Sequence, residues 1–343
     1  MGTGMGTGKK IGIGIIGCGK AGKYHAGWYS KNPDCLIKGF YNRTTSKALE
    51  LSEKYRSKTY ENWEELVKDP EINVVSICTP VGLHKEQAAM ALNLKKHVLC
   101  EKPMAASSEE CEFMVNLAKI NGVNLGVFFN MRFNPVIETV DSNISAIGEI
   151  LSIDMNFQFN REDLGWRGRQ GSKTGVLMEL GTHAIDLALY WLGDIAVIHS
   201  EIGNFKKDSY CDDHAFVIWR FASGAIGKLY ASYNDPGFYD EQIEGLIVQI
   251  LGREGKICFL LNSYYPERNR VFTIKNNKKK EICLKKPEIC DDIYPGHMNS
   301  FGKLIDKFVN SVMENKTFRP SGEDGLKTIK FVEDVFRSSK WRF

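Results

Sequence analysis

Between Ile11 and about Phe129 short apolar runs alternate with amphipathic stretches. The runs Ile11–Ile16, Leu36–Tyr41, Val74–Cys78, Val98–Cys100 and Leu125–Phe129 are brief and apolar on both faces, which predicts buried parallel strands. The stretches Ala21–Lys31, Ser46–Tyr55, Trp63–Val67, Leu83–Leu94 and Ser108–Ile120 carry helical periodicity, with Thr45 and Ser107 placed as caps. Alternating β and α elements of this kind predict an α/β doubly wound, Rossmann-type sheet covered by helices on both sides.

The texture changes after Gly148. Residues 149–160 alternate apolar and polar side chains, a polar loop occupies 161–174, and one apolar helix is predicted at Gly175–Trp191. Alternating strands follow at 196–205, 213–222, 225–233, 244–251 and 255–261, joined by turns such as Ala222-Ser223-Gly224. Two helices, Met298–Glu314 and Gly322–Ser339, close the chain, the second with Ser321 and Asp324 as a capping box. This second half reads as an α+β domain with a large, mostly antiparallel open sheet.

A length of 343 residues suits two domains, drawn here as 10–130 and 131–343 with the last helices free to pack back on the first. Lys plus Arg number 45 against 42 Asp plus Glu, a net charge of +3 without clustering, so no nucleic-acid partner is expected. Lys278-Lys279-Lys280 reads as a solvated hairpin tip. Nine cysteines without a CxxC pair suggest neither a disulfide framework nor a zinc site and fit a reducing cytoplasm. No apolar stretch is long enough for a membrane span, and residues 1–9 read as a flexible leader or expression remnant.

Gly17-Cys18-Gly19-Lys20-Ala21-Gly22 forms GxGxxG directly after the first strand and directly before the first helix. In that setting the glycines allow a tight turn, and the helix N-terminus faces a pyrophosphate. Gly12-x-Gly14-x-x-Gly17 matches the same spacing but lies inside the strand and is rejected. At the end of the second strand, where an acid would bind the adenosine ribose, stands Asn42, followed by Arg43, Thr44 and Thr45. Without a carboxylate a 2′-phosphate is not repelled, so the cofactor expectation is NAD(P), leaning to NADP.

The fourth strand candidate ends in Glu101-Lys102-Pro103, at the carboxyl edge where open α/β sheets bind ligands. Together with the glycine loop, Cys78-Thr79-Pro80 with His84, Glu179-x-Gly181-x-His183-x-x-Asp186 and the closing Ser321–Gly325 segment, it resembles the glucose-fructose oxidoreductase, inositol dehydrogenase and rhizopine catabolism (Gfo/Idh/MocA) family over residues 10–339. The resemblance implies that Lys102 is the active-site lysine and His183 the principal acid/base. It also implies that Glu101, Thr79 and Pro80 lie near the cofactor, His84 being structural or cofactor-proximal, and that the antiparallel sheet supports a homodimer or homotetramer. Glu179 departs from the Asp common among inositol dehydrogenase-type relatives, which weakens the substrate inference.

Glu179, His183 and Asp186 are spaced i, i+4, i+7 and would share one helix face. Removing a hydride from a carbinol carbon requires a base for its hydroxyl proton. Histidine suits that task near neutrality, while Lys102 would stabilise the developing oxyanion. The expectation is that folding brings Lys102 and His183 around one substrate oxygen, with Glu179 orienting the substrate or the histidine and Asp186 fixing the histidine tautomer. Trp166, Arg167 and Arg169 read as a lid over sugar hydroxyls, and Asn130 and Arg132 as a border of the same cleft. No metal is required. The expected substrate is small and polyhydroxylated: a sugar, nucleotide-sugar or cyclitol. An NAD-dependent glycosidase and a non-catalytic dinucleotide-binding regulator are the competing readings.

Overall fold

The structure, a computed structural model, describes residues 10–161, 163–165, 168–169, 174–206, 209–234, 245–262, 265–284 and 298–339. The chain divides into two units: residues up to Phe129 with Phe301–Ile329, and Asn130–Ser300 with Lys330 onward.

The first unit runs β1 (Ile11–Ile16), α1 (Lys20–Tyr29), β2 (Cys35–Tyr41), α2 (Thr45–Tyr55), β3 (Lys58–Thr59), α3 (Trp63–Lys68), β4 (Val74–Ile77), α4 (His84–Asn93), β5 (His97–Cys100), α5 (Ser108–Asn121) and β6 (Leu125–Val127). The strands form a parallel sheet in the order β3-β2-β1-β4-β5-β6. Strands β1, β4 and β6 are buried along their whole length, which explains their continuous apolar runs. The order reverses between β1 and β4, and there the glycine loop and Cys78-Thr79-Pro80 leave the sheet. The two-residue β3 at the edge carries no alternation and escapes prediction. Thr44 rather than Thr45 caps α2, whereas Ser107 accepts the Glu110 N–H as expected.

Residues 301–329 complete this unit rather than the second. Gly126 in β6 lies so close to Phe318 and Phe308 that an added Cβ would stand 2.8 and 3.0 Å from their rings. The Val127 N–H donates to the Pro320 carbonyl at 3.0 Å, so the outermost strand is covered by chain from near the carboxyl terminus. Two buried phenylalanines contribute roughly 2–3 kcal/mol each, enough to hold the segment there.

The second unit contains α6 (Pro135–Asn143), β7 (Ile150–Gln158), a π-helical turn (Leu177–Gly181) running into α7 (Thr182–Leu192), then β8 (Ile195–Gly203), β9 (His214–Phe221), β10 (Ile226–Ser232), β11 (Gly245–Gly252), β12 (Lys256–Leu261), β13 (Arg270–Lys275) and β14 (Lys278–Ile282). Helices α8 (Met298–Met313) and α9 (Gly322–Ser338) close the chain. The sheet order is β14-β13-β12-β11-β7-β10-β9-β8, antiparallel except for β7 beside β10.

Two expectations are corrected and one helix is added. Lys278-Lys279-Lys280 is not a hairpin tip but part of edge strand β14; the tip is Asn276-Asn277, both left-handed at φ 52° and 60°. Lysines on an edge strand oppose further pairing. Helix α6 went unpredicted although Asn134 caps it and Pro135 opens it. The helix predicted from Gly175 begins as a π turn, whose amides are anchored from outside: Leu177 N–H donates to the Asp212 carboxylate at 2.8 Å and Val176 N–H to the Asp212 carbonyl at 2.9 Å. A single-turn π segment is a common device at functional sites.

Candidate active site

The glycine loop of the first unit has the shape its sequence demands. Gly17 sits at φ +97°, and a Cβ there would stand 2.6 Å from the Cys78 carbonyl oxygen. Gly22 is as tightly placed, since its Cβ would meet the Gly17 carbonyl at 1.9 Å. At Gly19 an added Cβ meets nothing within 4 Å, so the space in front of the helix N-terminus is open to a ligand phosphate. Lys20 is exposed and Ala21 half-buried at the start of α1. The rejected register is also explained, because Gly12 and Gly14 press on the Glu71 carbonyl, Leu66 and Ile72 inside the fold.

Asn42 braces this loop: its Oδ1 accepts the Cys18 N–H at 2.9 Å and its Nδ2 donates to the Thr44 carbonyl at 3.0 Å. Arg43 is exposed beside it. Burial pushes the Cys18 thiol up to about 12, so it stays protonated and apolar under the loop.

The Glu101-Lys102-Pro103 turn is held from beneath by two buried imidazoles. His84 places Nε2 at 2.7 Å from the Thr79 carbonyl and Nδ1 at 3.1 Å from the Pro103 carbonyl, so it lies between the loop after β4 and the turn after β5 and, as a neutral ring, donates to one of the two. Burial depresses its pKa, against the pull of those carbonyls. Thr79 donates its hydroxyl to Gln87 at 2.7 Å, and Pro80 is exposed. His25, which belongs to none of the motifs read from the sequence, contacts Ser76 and Glu101. A signal for it exists: Gly22, His25, Ala26 and Tyr29 form one buried stripe of α1, and a histidine on such a stripe requires a polar partner.

In the second unit the π turn and α7 carry Glu179, His183 and Asp186. Glu179 accepts a short hydrogen bond from the Tyr233 hydroxyl and stands 3.8 Å from Arg161, whose guanidinium lies over the Tyr233 ring. His183 is buried, with 8% of its surface exposed. Asp186 gives both carboxylate oxygens to Arg132, Nε at 2.8 Å and Nη2 at 2.6 Å, and the two side chains are 2% and 7% exposed. Arg132 also lies over the Tyr190 ring. It is thus tied to the helix. Asn130 is buried and donates to the Ser300 hydroxyl at 3.2 Å. Trp166 and Arg167 lie outside the described residues; Arg169 is exposed.

Asp212, Tyr233 and Arg161 are further residues that no pattern in the sequence singles out. Their partners stand far away along the chain, Glu179 and Tyr233 being 54 positions apart. Among the described residues no cluster of three His, Cys, Asp or Glu suits a metal ion, and no helix is long and apolar enough to cross a membrane.

Comparison with known proteins places this geometry in context. Residues 11–129 match the model of an oxidoreductase family with a NAD-binding Rossmann fold, and residues 142–342 match the C-terminal alpha/beta domain of the same family. The chain is 36% identical to glucose-6-phosphate 3-dehydrogenase of Bacillus subtilis (strain 168), over 94% of this chain and 95% of that protein. It is 29% identical to D-glucoside 3-dehydrogenase of Escherichia coli (strain K12), over 97% of both. Levoglucosan dehydrogenase in complex with NADH superposes with a TM-score of 0.84 at 25% identity, covering 96% of this chain and 97% of that one.

Proposed function

Because the chain belongs to the Gfo/Idh/MocA oxidoreductase family and is a nicotinamide-dependent dehydrogenase of the sugar and cyclitol type, we propose that it oxidises a secondary ring hydroxyl of a glucopyranose, at carbon 3. The observation that carries this reading is full-length similarity to two 3-dehydrogenases of glucose derivatives in a chain that keeps both Lys102 and His183. Cyclitols and nucleotide-sugars are the alternatives the test must separate.

The residues present fit a dinucleotide. The open space at Gly19 faces the start of α1, and no carboxylate follows β2 at Asn42-Arg43-Thr44. The bound nicotinamide supplies a hydride acceptor for the carbinol C–H. In this reading His183 is the base for the hydroxyl proton and the Lys102 ammonium the group that stabilises developing negative charge. Glu179, held by Tyr233, orients a neighbouring hydroxyl. Asp186 acts through Arg132 to fix the helix rather than on the substrate. The missing acid leaves room for a 2′-phosphate beside Arg43, so the reading leans to NADP.

A homo-oligomer and a reducing cytoplasm belong to the same reading. Val197, Phe216, Ile218 and Ile226 expose 47%, 55%, 53% and 44% of their surfaces on one sheet, a large apolar area for solvent to bear.

Absorbance of the reduced nicotinamide with glucose 6-phosphate, glucosides and inositols, each with NAD and NADP, tests the assignment. Glucopyranoses are expected to turn over and to yield a ketone at carbon 3 by NMR. Turnover of inositols alone, or aryl-glucoside cleavage without net absorbance change, overturns it. Lys102→Met and His183→Ala should each lower kcat by about a thousandfold or more.

A further inference from the structure

The cofactor loop and the Glu101-Lys102-Pro103 turn lie far apart in sequence, and one side chain joins them. His25 projects from α1, the helix that opens at the glycine loop, and is 0% exposed. Its Nδ1 lies 2.7 Å from the Ser76 hydroxyl in β4 and its Nε2 lies 3.2 Å from Glu101 Oε1 after β5. The other oxygen of Glu101 accepts the backbone N–H of Lys102 at 3.1 Å. A carboxylate only accepts hydrogen bonds, so this network assigns the proton to Nε2; in the neutral ring Nδ1 then accepts from Ser76.

Packing alone does not account for an imidazole here. Its ring lies 4.2 Å from that of Phe128, which meets Phe301 edge-on at 4.8 Å, and an apolar side chain would fill that space without desolvating two polar nitrogens. What the imidazole adds is direction. Only a side chain that donates at one end and accepts at the other fixes the Glu101 carboxylate between α1 and the Lys102 amide.

We propose that His25 is a positioning residue for the dehydrogenase reaction, holding Glu101 so that Lys102 is presented in register with the helix that carries the glycine loop. The proposal rests on the assignment of Lys102 above. The side chain touches neither the substrate nor the reacting atoms; it acts through the turn.

Competitive acylation with acetic anhydride, read residue by residue by mass spectrometry across pH, tests this without any substrate. In His25→Leu the rate at Lys102 should change by about threefold or more while Lys31 and Lys119 keep theirs, and His25→Gln, which still donates and accepts, should return most of it. An unchanged Lys102 rate in a variant that melts like the parent overturns the proposal. If His25→Leu prevents folding, Ser76→Ala removes only the hydroxyl at Nδ1 and is read in the same way, with the same overturning result. A double-mutant cycle on kcat with glucose 6-phosphate then separates the two claims. His25→Leu should cost about tenfold in the parent and nothing further in Lys102→Met, with dinucleotide KM within about twofold. An equal loss in both backgrounds sinks the positioning role, whereas full activity of Lys102→Met sinks the Lys102 assignment instead.

Discussion

The two side chains proposed to carry the chemistry, Lys102 and His183, are supported by different physics. Lys102 sits on a turn braced by buried imidazoles and backbone carbonyls, through His84 and His25. His183 sits on a helix braced by carboxylates: Asp212 at its start, Glu179 toward Tyr233 and Arg161, and Asp186 locked on Arg132. The first kind of support contains a single carboxylate, Glu101. The second buries several formal charges, so each member is costly to remove.

The sharpest break in that contrast is Asp186→Ala. It leaves the Arg132 guanidinium buried without its carboxylate and should destabilise the protein by about 3–5 kcal/mol in denaturant melts, whereas replacing both members by apolar residues should recover most of the loss. A melt within experimental error of the parent would show that the pair is dispensable and the contrast misplaced.

Asp212 gives a smaller, pH-dependent effect. Burial raises its carboxyl pKa to about 6 from 3.8, so the folded state holds a proton that the unfolded chain releases. Stability from this group is therefore greatest below pH 4 and is lost as pH rises through about 6, by up to roughly 3 kcal/mol. Asp212→Asn keeps an oxygen for the Leu177 N–H and cannot titrate, so the difference in melting temperature between parent and variant should grow in the variant's favour from pH 4 to 7. A constant difference across that range removes the carboxylate from the account.

The first unit should answer with function rather than stability. Gly19→Ala should leave the melting temperature unchanged, because the new Cβ meets no protein atom, and raise the dinucleotide KM by about tenfold. Gly22→Ala, whose Cβ would strike the Gly17 carbonyl, should damage both. Equal behaviour of the two variants would mean that the loop does not cradle a phosphate.

What the sequence revealed follows the same division. The glycine loop and the Glu-Lys-Pro turn are contiguous, and each carries its own strand or helix context, so they were legible along with the alternating order of β1 to β6. The helix triad was legible as residues but not as geometry. A regular α-helix is expected where a π turn stands, and no pattern in the sequence tells that Arg132 clamps Asp186. Braces such as Asp212 and Tyr233 have no local signature, because their identity depends on partners brought in by sheet pairing. Edge strand β14 was missed for the opposite reason: Lys278-Lys279-Lys280-Glu281 has no apolar face, its place being set by the Asn276-Asn277 turn.

The covering of β6 by Phe308, Phe318 and Pro320 has a consequence for how the protein is made. Synthesis proceeds from the amino terminus, so the dinucleotide-binding half emerges first yet receives this layer only after residues 130–300 have been made. Until then its outer strand and the apolar surface around Gly126 face solvent, and a fragment stopped at residue 130 keeps them there. The newborn chain thus has a long interval in which its first half is half-dressed, and chaperones would find it most readily at that exposed edge.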